Sequence, residues 1–372
     1  MKKKTVKVVL GAIASSKNID RAVKSATRGR FRYKPIALVW NENAWWYNTQ
    51  LKKLIKQGKY KTGKYTRFTI QDTKKRIIHA PSFIDKIVQY ALNNVIREVY
   101  EPCYIQDSYA CIRKKGPQAC IKQLHRYQRL AYKKFKEPVL VKLDISKFFY
   151  SINRSIVFDI LCKKIKDMKV RALLVEKLKF NVSHIGLPLG NLTAQQFANI
   201  LLNEFDHWVK RCLKVKYYCR YADDMFMLVD GRDYGKEVMK LCKEYIEYKL
   251  DLKCNTSKCY VRSANTIEAL GHVVNYDGPI MLLGRNMRRL KKILKTKYVL
   301  DKGISTTIRR NMITNKKSNF RKATNEDILI RLNSWYGHFQ LANIHGLIDY
   351  VWKITGEDRF VFDKELNKFV MT

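Results

Sequence analysis

The sequence predicts an α+β protein, and three observations carry that expectation. Short β-prone runs, Pro138-Val-Leu-Val-Lys-Leu143 and Lys216 to Val229, interrupt longer amphipathic stretches. Two of those stretches place apolar residues at helical spacing: Phe83, Ile87, Val88, Ala91 and Val95, then Phe197, Ile200, Leu201, Phe205 and Trp208. No repeat or low-complexity linker divides the 372 residues, so two or three packed subdomains of one unit are expected.

Taken in order, residues 1–58 read as an N-terminal helical extension, with Trp45, Trp46 and Leu51 on one apolar side. Met1 to Ala14 loosely imitates a signal peptide, but its apolar stretch is short and the cysteine count is odd. The expectation is a cytoplasmic protein that is not exported. In residues 59–137, Tyr60 to Ile78 alternates in the strand manner around Thr62-Gly63 and Gln71-Asp72, and Ser82 opens a helix. Residues 138–280 begin with the apolar strand that ends at Asp144, and Thr193 is placed to cap the helix of the second stripe. In 281–372 the texture turns helical and basic, with Arg285, Arg288, Arg289, Lys292 and Lys295 crowded together. That surface suits a duplex backbone better than plain solvent.

Composition narrows the function. Lys plus Arg number 74 against 32 Asp plus Glu, a net charge of +42 that is most readily explained by a nucleic-acid partner. The nine cysteines show no C-x-x-C pair, and Cys254 and Cys259 are too weakly spaced to argue for zinc, so reduced thiols are expected. No apolar run reaches membrane-spanning length.

Against that basic background stands Tyr221-Ala-Asp-Asp224, an acidic turn between two β-prone runs. Adjacent carboxylates at a hairpin tip repel one another, and a divalent cation with a taste for hard oxygen ligands relieves them. Two-metal phosphoryl transfer needs further carboxylates to converge on ions about 3.5–4 Å apart. Asp144, closing its apolar strand, is the candidate third ligand, with a helix cap as the alternative.

Leu143-Asp-Ile-Ser-Lys-Phe-Phe-Tyr150 resembles motif A of reverse transcriptases, and Tyr221-Ala-Asp-Asp224 resembles motif C. Gly186 to Gln195 resembles motif B, Asp251 to Lys258 motif D, Ala269 to Val273 the primer grip, and Lys75 to Gln89 the fingers motif. The resemblance implies a right-hand polymerase: the extension, fingers at 59–137, a palm of antiparallel sheet backed by helices at 138–280, then a helical thumb and tail. It implies that Asp144, Asp223, Asp224 and the Ile145 carbonyl hold two Mg²⁺ ions, with Mn²⁺ able to substitute. The dNTP is expected against Lys74, Lys75, Arg76, Ile145, Ser146, Lys147, Phe148, Phe149, Leu189, Gly190, Gln195 and Lys258. Among these Arg76 meets the triphosphate and Lys258 can protonate pyrophosphate, a surface lysine being the alternative. Phe149 falls at the steric gate, although by periodicity either phenylalanine could be core. Arg113 and the basic stretch from Arg285 are expected on template RNA and the cDNA/RNA duplex.

The form Gly190-Asn-Leu-Thr-Ala-Gln195 is similar to that of diversity-generating retroelement reverse transcriptases of bacteria and phages. So are Ser108-Tyr-Ala-Cys111 and Ser334 to Asn343, with Ile112 and Ala194 as departures. That likeness implies copying of a template-repeat RNA, errors opposite adenine, mutagenic retrohoming, and a small basic oligomeric accessory protein. Group II intron, retron and phage-defence enzymes are the alternatives, and an RNA-binding, splicing-assistance protein with vestigial catalysis is the alternative of another class. Leu189 stands where many relatives carry Gln, whose polar contact with the nascent pair is worth ~1–3 kcal/mol.

Overall fold

The computed structural model describes residues 9–71, 75–179, 183–288, 325–339, 341, 360–363, 366 and 368–371. The chain forms two compact units, Met1–Cys120 with Phe135–Ser263, and Ile121–Lys134 with Ala264–Thr372. The segment expected as the extension lies wholly in the first unit, whereas residues 121–134 of the expected fingers and 264–280 of the expected palm belong to the second.

Helices α1 (Leu10–Ile13), α2 (Ser16–Ala26), α3 (Pro35–Glu42) and α4 (Ala44–Lys56) open the first unit. Helix α4 buries Asn48, Leu51 and Ile55, which recur three and four residues apart. Trp45 and Trp46, expected beside Leu51, are instead 80% and 52% exposed. Lying six and five residues from Leu51, they sit roughly 120–140° around the helix from it.

Strands β1 (Thr66–Gln71) and β2 (Lys75–Ala80) form an antiparallel hairpin. The strand pattern expected from Tyr60 starts only at Thr66, because side chains hold the backbone before it. Glu176 accepts from the Thr62 N–H at 2.9 Å, and Asp85 from the Gly63 N–H at 3.1 Å. Asp85 also accepts from the Tyr60 hydroxyl and pairs with Lys177 at 3.2 Å, both charged side chains being almost wholly buried. Ser82 caps α5 (Phe83–Tyr100) as expected, accepting from the Asp85 N–H. Helix α6 (Pro117–Lys134) follows.

The main sheet runs β4-β5-β3-β6, built from β3 (Pro138–Leu143), β4 (Tyr217–Tyr221), β5 (Asp224–Asp230) and β6 (Tyr260–Ser263). Every pairing in it is antiparallel. Val139, Leu140, Val141 and Leu143 are all buried, so central β3 reads as an apolar run because both of its faces are covered. Helices α7 (Phe148–Ser151), α8 (Arg154–Lys164), α9 (Met168–Leu178), α10 (Leu192–Arg211) and α11 (Arg232–Leu250) complete the unit. The stripe expected on α10 is buried from Phe197 to Phe205, with Trp208 half-buried and stacked on Tyr245. Thr193 does not cap α10. It lies buried in the first turn, while Asn191 stands at the cap position and the Leu192 N–H is taken by Gln89 Oε1 at 3.3 Å.

In the second unit β7 (Thr266–Ala269), β8 (His272–Asn275) and β9 (Met281–Leu282) form an antiparallel sheet. The α6 side chains Gln128 and Tyr132 meet this segment, Gln128 donating to the Ala264 carbonyl at 2.6 Å and Tyr132 stacking on Tyr276. Helix α12 (Asn325–Phe339) is fastened to a C-terminal hairpin, β10 (Phe360–Asp363) and β11 (Lys368–Met371), through two bonds between Asn333 and the Phe369 backbone. Lys74, Arg289, Lys292, Lys295 and most of the expected thumb lie outside the described residues.

Candidate active site

Register alone brings two of the aspartates together. Strands β3 and β5 pair Lys142 with Phe226 and Leu143 with Met225. One step further come Asp144 and Asp224, so both carboxylates leave neighbouring strand ends on the face of Lys142 and Phe226. Asp223 occupies the tight turn that joins β4 to β5, where Tyr221 pairs with Asp224. Ala222 before it takes a left-handed conformation, φ +53°. For a residue with a Cβ this costs about 1–2 kcal/mol, so the surrounding structure must impose it.

The segment between α11 and β6, residues 253–259, holds Asp144 from the other side. The Asn255 N–H donates to the Asp144 carbonyl and the Ser146 N–H to the Lys253 carbonyl, each at 2.8 Å. The Asp144 N–H points at Cys259 Sγ, 3.4 Å away. The motif D and motif A resemblances thus meet in space.

Electrostatics sets the three carboxylates apart. Asp144 is buried, and its Oδ2 accepts from Lys258 Nζ at 2.5 Å. Lys142 Nζ lies 3.3 Å from Asp224 Oδ1. Burial pushes the Asp223 carboxyl up to about 6, and the negative charges of Asp224 and Asp144 add to the rise. Burial works against the Lys258 ammonium, but Asp144 outweighs it and holds that pKa above the ordinary lysine value.

Among the described residues no group of three or more His, Cys, Asp or Glu side chains closes on a metal position. Lys258 and Lys142 hold Asp144 and Asp224 in ion pairs. The donor set nevertheless fits a divalent cation: hard carboxylate oxygens, with ionisation of Asp223 opposed by burial and by the neighbouring carboxylates.

The expected dNTP residues are only partly assembled. Ile145 and Phe148 are buried, whereas Phe149 is half-buried with its ring 5.4 Å from that of Phe148. Lys147 caps α7 in a left-handed conformation. The Leu187 N–H donates to the Phe149 carbonyl at 2.6 Å, and the His79 N–H of β2 to the Leu189 carbonyl at 2.8 Å. Gly190 has φ +102°, and a Cβ there would meet Ile78 Cγ2 at 2.8 Å, so only glycine lets this loop lie against β2. Lys75 and Arg76 are exposed on β2. Gln195 is exposed and within 3.5 Å of Cys111 Sγ, and Arg113 is exposed in the preceding loop. Arg285, 3.9 Å from Glu268, and Arg288 belong to the second unit.

Sequence reasoning missed Lys142 and the buried pair Arg220–Asp206, which are 3.3 Å from Asp224 and 2.7 Å apart respectively. Lys142 was findable, because it precedes Asp144 by two residues on one strand and so shares its face. The cysteines of the described residues are free, and among those residues no helix is long and apolar enough to cross a membrane.

Comparison with known proteins bears on this site. Residues 61–274, more than half of the chain, match the family model described as reverse transcriptase (RNA-dependent DNA polymerase). The chain is 22% identical over 232 residues to Protein YkfC of Escherichia coli (strain K12), covering 52% of this chain and 61% of that protein. It is 28% identical over 182 residues to group II intron-encoded protein LtrA of Lactococcus lactis subsp. cremoris, covering 45% of this chain and 29% of that protein. It therefore spans less than two thirds of either relative. Among solved structures it is similar to telomerase from Candida albicans in complex with a TWJ fragment of telomeric RNA, at 12% identity and a TM-score of 0.46, covering 85% of this chain and 64% of that one.

Proposed function

The chain belongs to the reverse transcriptase (RNA-dependent DNA polymerase) family, with the α+β fold of a right-hand polymerase, and from that premise we propose that it joins dNTPs to a primer 3′-hydroxyl along an RNA template. The observation that carries this reading is the convergence of Asp144, Asp223 and Asp224 at one end of the main sheet, with the Asp223 pKa raised by burial and by the other two carboxylates. Asp144, Asp223, Asp224 and the Ile145 carbonyl would hold two Mg²⁺ ions, which when bound supply positive charge to the attacking 3′-oxygen and the departing pyrophosphate. Lys75 and Arg76, together with Lys74, neutralise the triphosphate. The Phe149 ring excludes a ribose 2′-hydroxyl, and the Lys258 ammonium gives its proton to pyrophosphate. A primer-extension assay on RNA with dTTP and Mg²⁺, comparing the parent with Asp223→Ala/Asp224→Ala, tests the reading: DNA is expected from the parent alone, and equal signals would remove it.

Within the family we propose a diversity-generating role, copying a template-repeat RNA with errors at adenines for mutagenic retrohoming. It is supported by Gly190 to Gln195, Ser108 to Cys111 and Ser334 to Asn343. This reading includes a small basic oligomeric accessory protein, with RNA as the bridge between two cationic partners. The 28% identity to LtrA favours a second reading, a group II intron-type enzyme acting with intron RNA. Adenine-directed misincorporation belongs to the first reading, and tight selective binding of an intron RNA to the second.

A further inference from the structure

Arg220, the third residue before Asp223, has no exposed surface. A guanidinium removed from water is costly unless all five of its N–H groups find acceptors. Here they do. Nε and Nη2 donate to the two oxygens of Asp206, each at 2.7 Å, in the fork that arginine makes with carboxylate. Nη2 also donates to Ser108 Oγ at 3.0 Å, and Nη1 to Asn199 Oδ1 at 3.3 Å. The remaining bond runs from Nη1 to the carbonyl of Ala222, at 3.0 Å. Asp206 is equally buried and takes one more hydrogen bond, from the Tyr218 hydroxyl at 2.6 Å.

Two of these acceptors, Asn199 and Asp206, stand about two turns apart on α10, the helix that begins where the Leu189–Gly190 loop ends. The fifth belongs to the left-handed residue of the acidic turn, directly before Asp223. An apolar pair could replace a buried ion pair with little loss of stability, but it could not hold a carbonyl.

We propose that Arg220 is a positioning residue for Asp223, tying the acidic turn through the Ala222 carbonyl to α10. The turn and the helix leading from the Leu189–Gly190 loop then keep one fixed relation. The inference rests on the polymerase reading, in which Asp223 holds a metal ion.

The test uses the full-length protein as parent, Arg220→Lys, and Arg220→Met/Asp206→Leu, which removes both buried charges at once. Three readouts are taken: thermal unfolding, Mn²⁺ binding by electron paramagnetic resonance without nucleic acid, and single-nucleotide extension separating kcat from dNTP KM. The double variant is expected to unfold below the parent temperature, since Tyr218, Asn199, Ser108 and the Ala222 carbonyl lose their partner, yet to stay folded at the assay temperature, bind Mn²⁺ several-fold more weakly, and lose about 10²-fold in kcat with dNTP KM little changed, the scale of a misplacement near 1 Å. Arg220→Lys should fall in between, since one ammonium cannot span Asp206 and Ala222. Parent-like kcat and Mn²⁺ affinity in either folded variant would overturn the proposal, as would losses that merely follow the unfolded fraction. Should the double variant not fold, Arg220→Lys decides by the same readouts. If the parent makes no DNA, the polymerase reading falls, while Mn²⁺ binding still decides whether Arg220 positions the turn.

Discussion

Replacing Asp223 by its neutral isostere should stabilise the metal-free protein. The Asp223 carboxyl is pushed from its ordinary 3.8 up to about 6 by burial and by Asp224 and Asp144. At about 1.4 kcal/mol per tenfold change in proton affinity, ionising it in the folded chain costs roughly 3 kcal/mol more than in the unfolded chain. Partial exposure screens this toward about 2 kcal/mol. The folded-state pKa is raised, so the contribution is fully present below about pH 4 and is lost as pH rises through about 6. Asp223→Asn should therefore raise the unfolding temperature by several degrees at pH 8 in EDTA, and leave it unchanged near pH 4. Added Mg²⁺ should stabilise the parent and narrow the gap. Differential scanning calorimetry at the two pH values, with and without Mg²⁺, measures all of this. An Asp223→Asn protein less stable than the parent at pH 8 in EDTA, or a gap independent of pH, would refute the reasoning.

The other predictions concern the loop against β2, fidelity and the buried lysine. Gly190→Ala puts a Cβ 2.8 Å from Ile78 Cγ2 in a conformation alanine avoids, so steady-state kinetics should show dNTP KM rising at least about tenfold, with about 1–3 kcal/mol lost in denaturant unfolding. Leu189→Gln should restore polar contact with the nascent pair and reduce misincorporation opposite template adenine by up to tens-fold, as read by sequencing of products. Lys177→Met strands the buried Asp85 carboxylate beside Tyr60 and should cost about 3–5 kcal/mol in chemical denaturation, with Lys177→Arg failing to rescue because the side chain has no exposed space.

What could be read from sequence was whatever local pattern determines. An apolar run bounded by Asp144, and an acidic pair between two β-prone runs, fix strand ends without knowledge of partners. Once β3 and β5 pair, Asp144 and Asp224 must share a face. Patterns settled by distant side chains were illegible. The start of α10 looked like a threonine cap, yet its first N–H goes to Gln89, which is 103 residues away in sequence. The loop from Tyr60 looked like a strand, but Asp85 and Glu176 take the N–H groups that a strand partner would have used. Trp45 and Trp46 were misplaced for a simpler reason, since adjacency to an apolar residue in sequence is not adjacency on a helix.

The same distinction explains how the site is held. Each aspartate of the proposed metal site is legible, but the contacts that hold it are made only by the folded chain. Asp144 is held by the Asn255 N–H on its carbonyl, Ser146 just beyond it by the Lys253 carbonyl, and the turn before Asp223 by Arg220 on the Ala222 carbonyl. The Leu189 carbonyl is held by the His79 N–H of β2. All three anchors act on main-chain atoms, so they set where the backbone lies without dictating which side chain it presents. The residue at position 189 can therefore be leucine or glutamine while the loop keeps its place. On the proposed polymerase reading, fidelity can change by one side chain at position 189 while the aspartates keep their places, because the bonds that place them run through main-chain atoms and not through the Leu189 side chain.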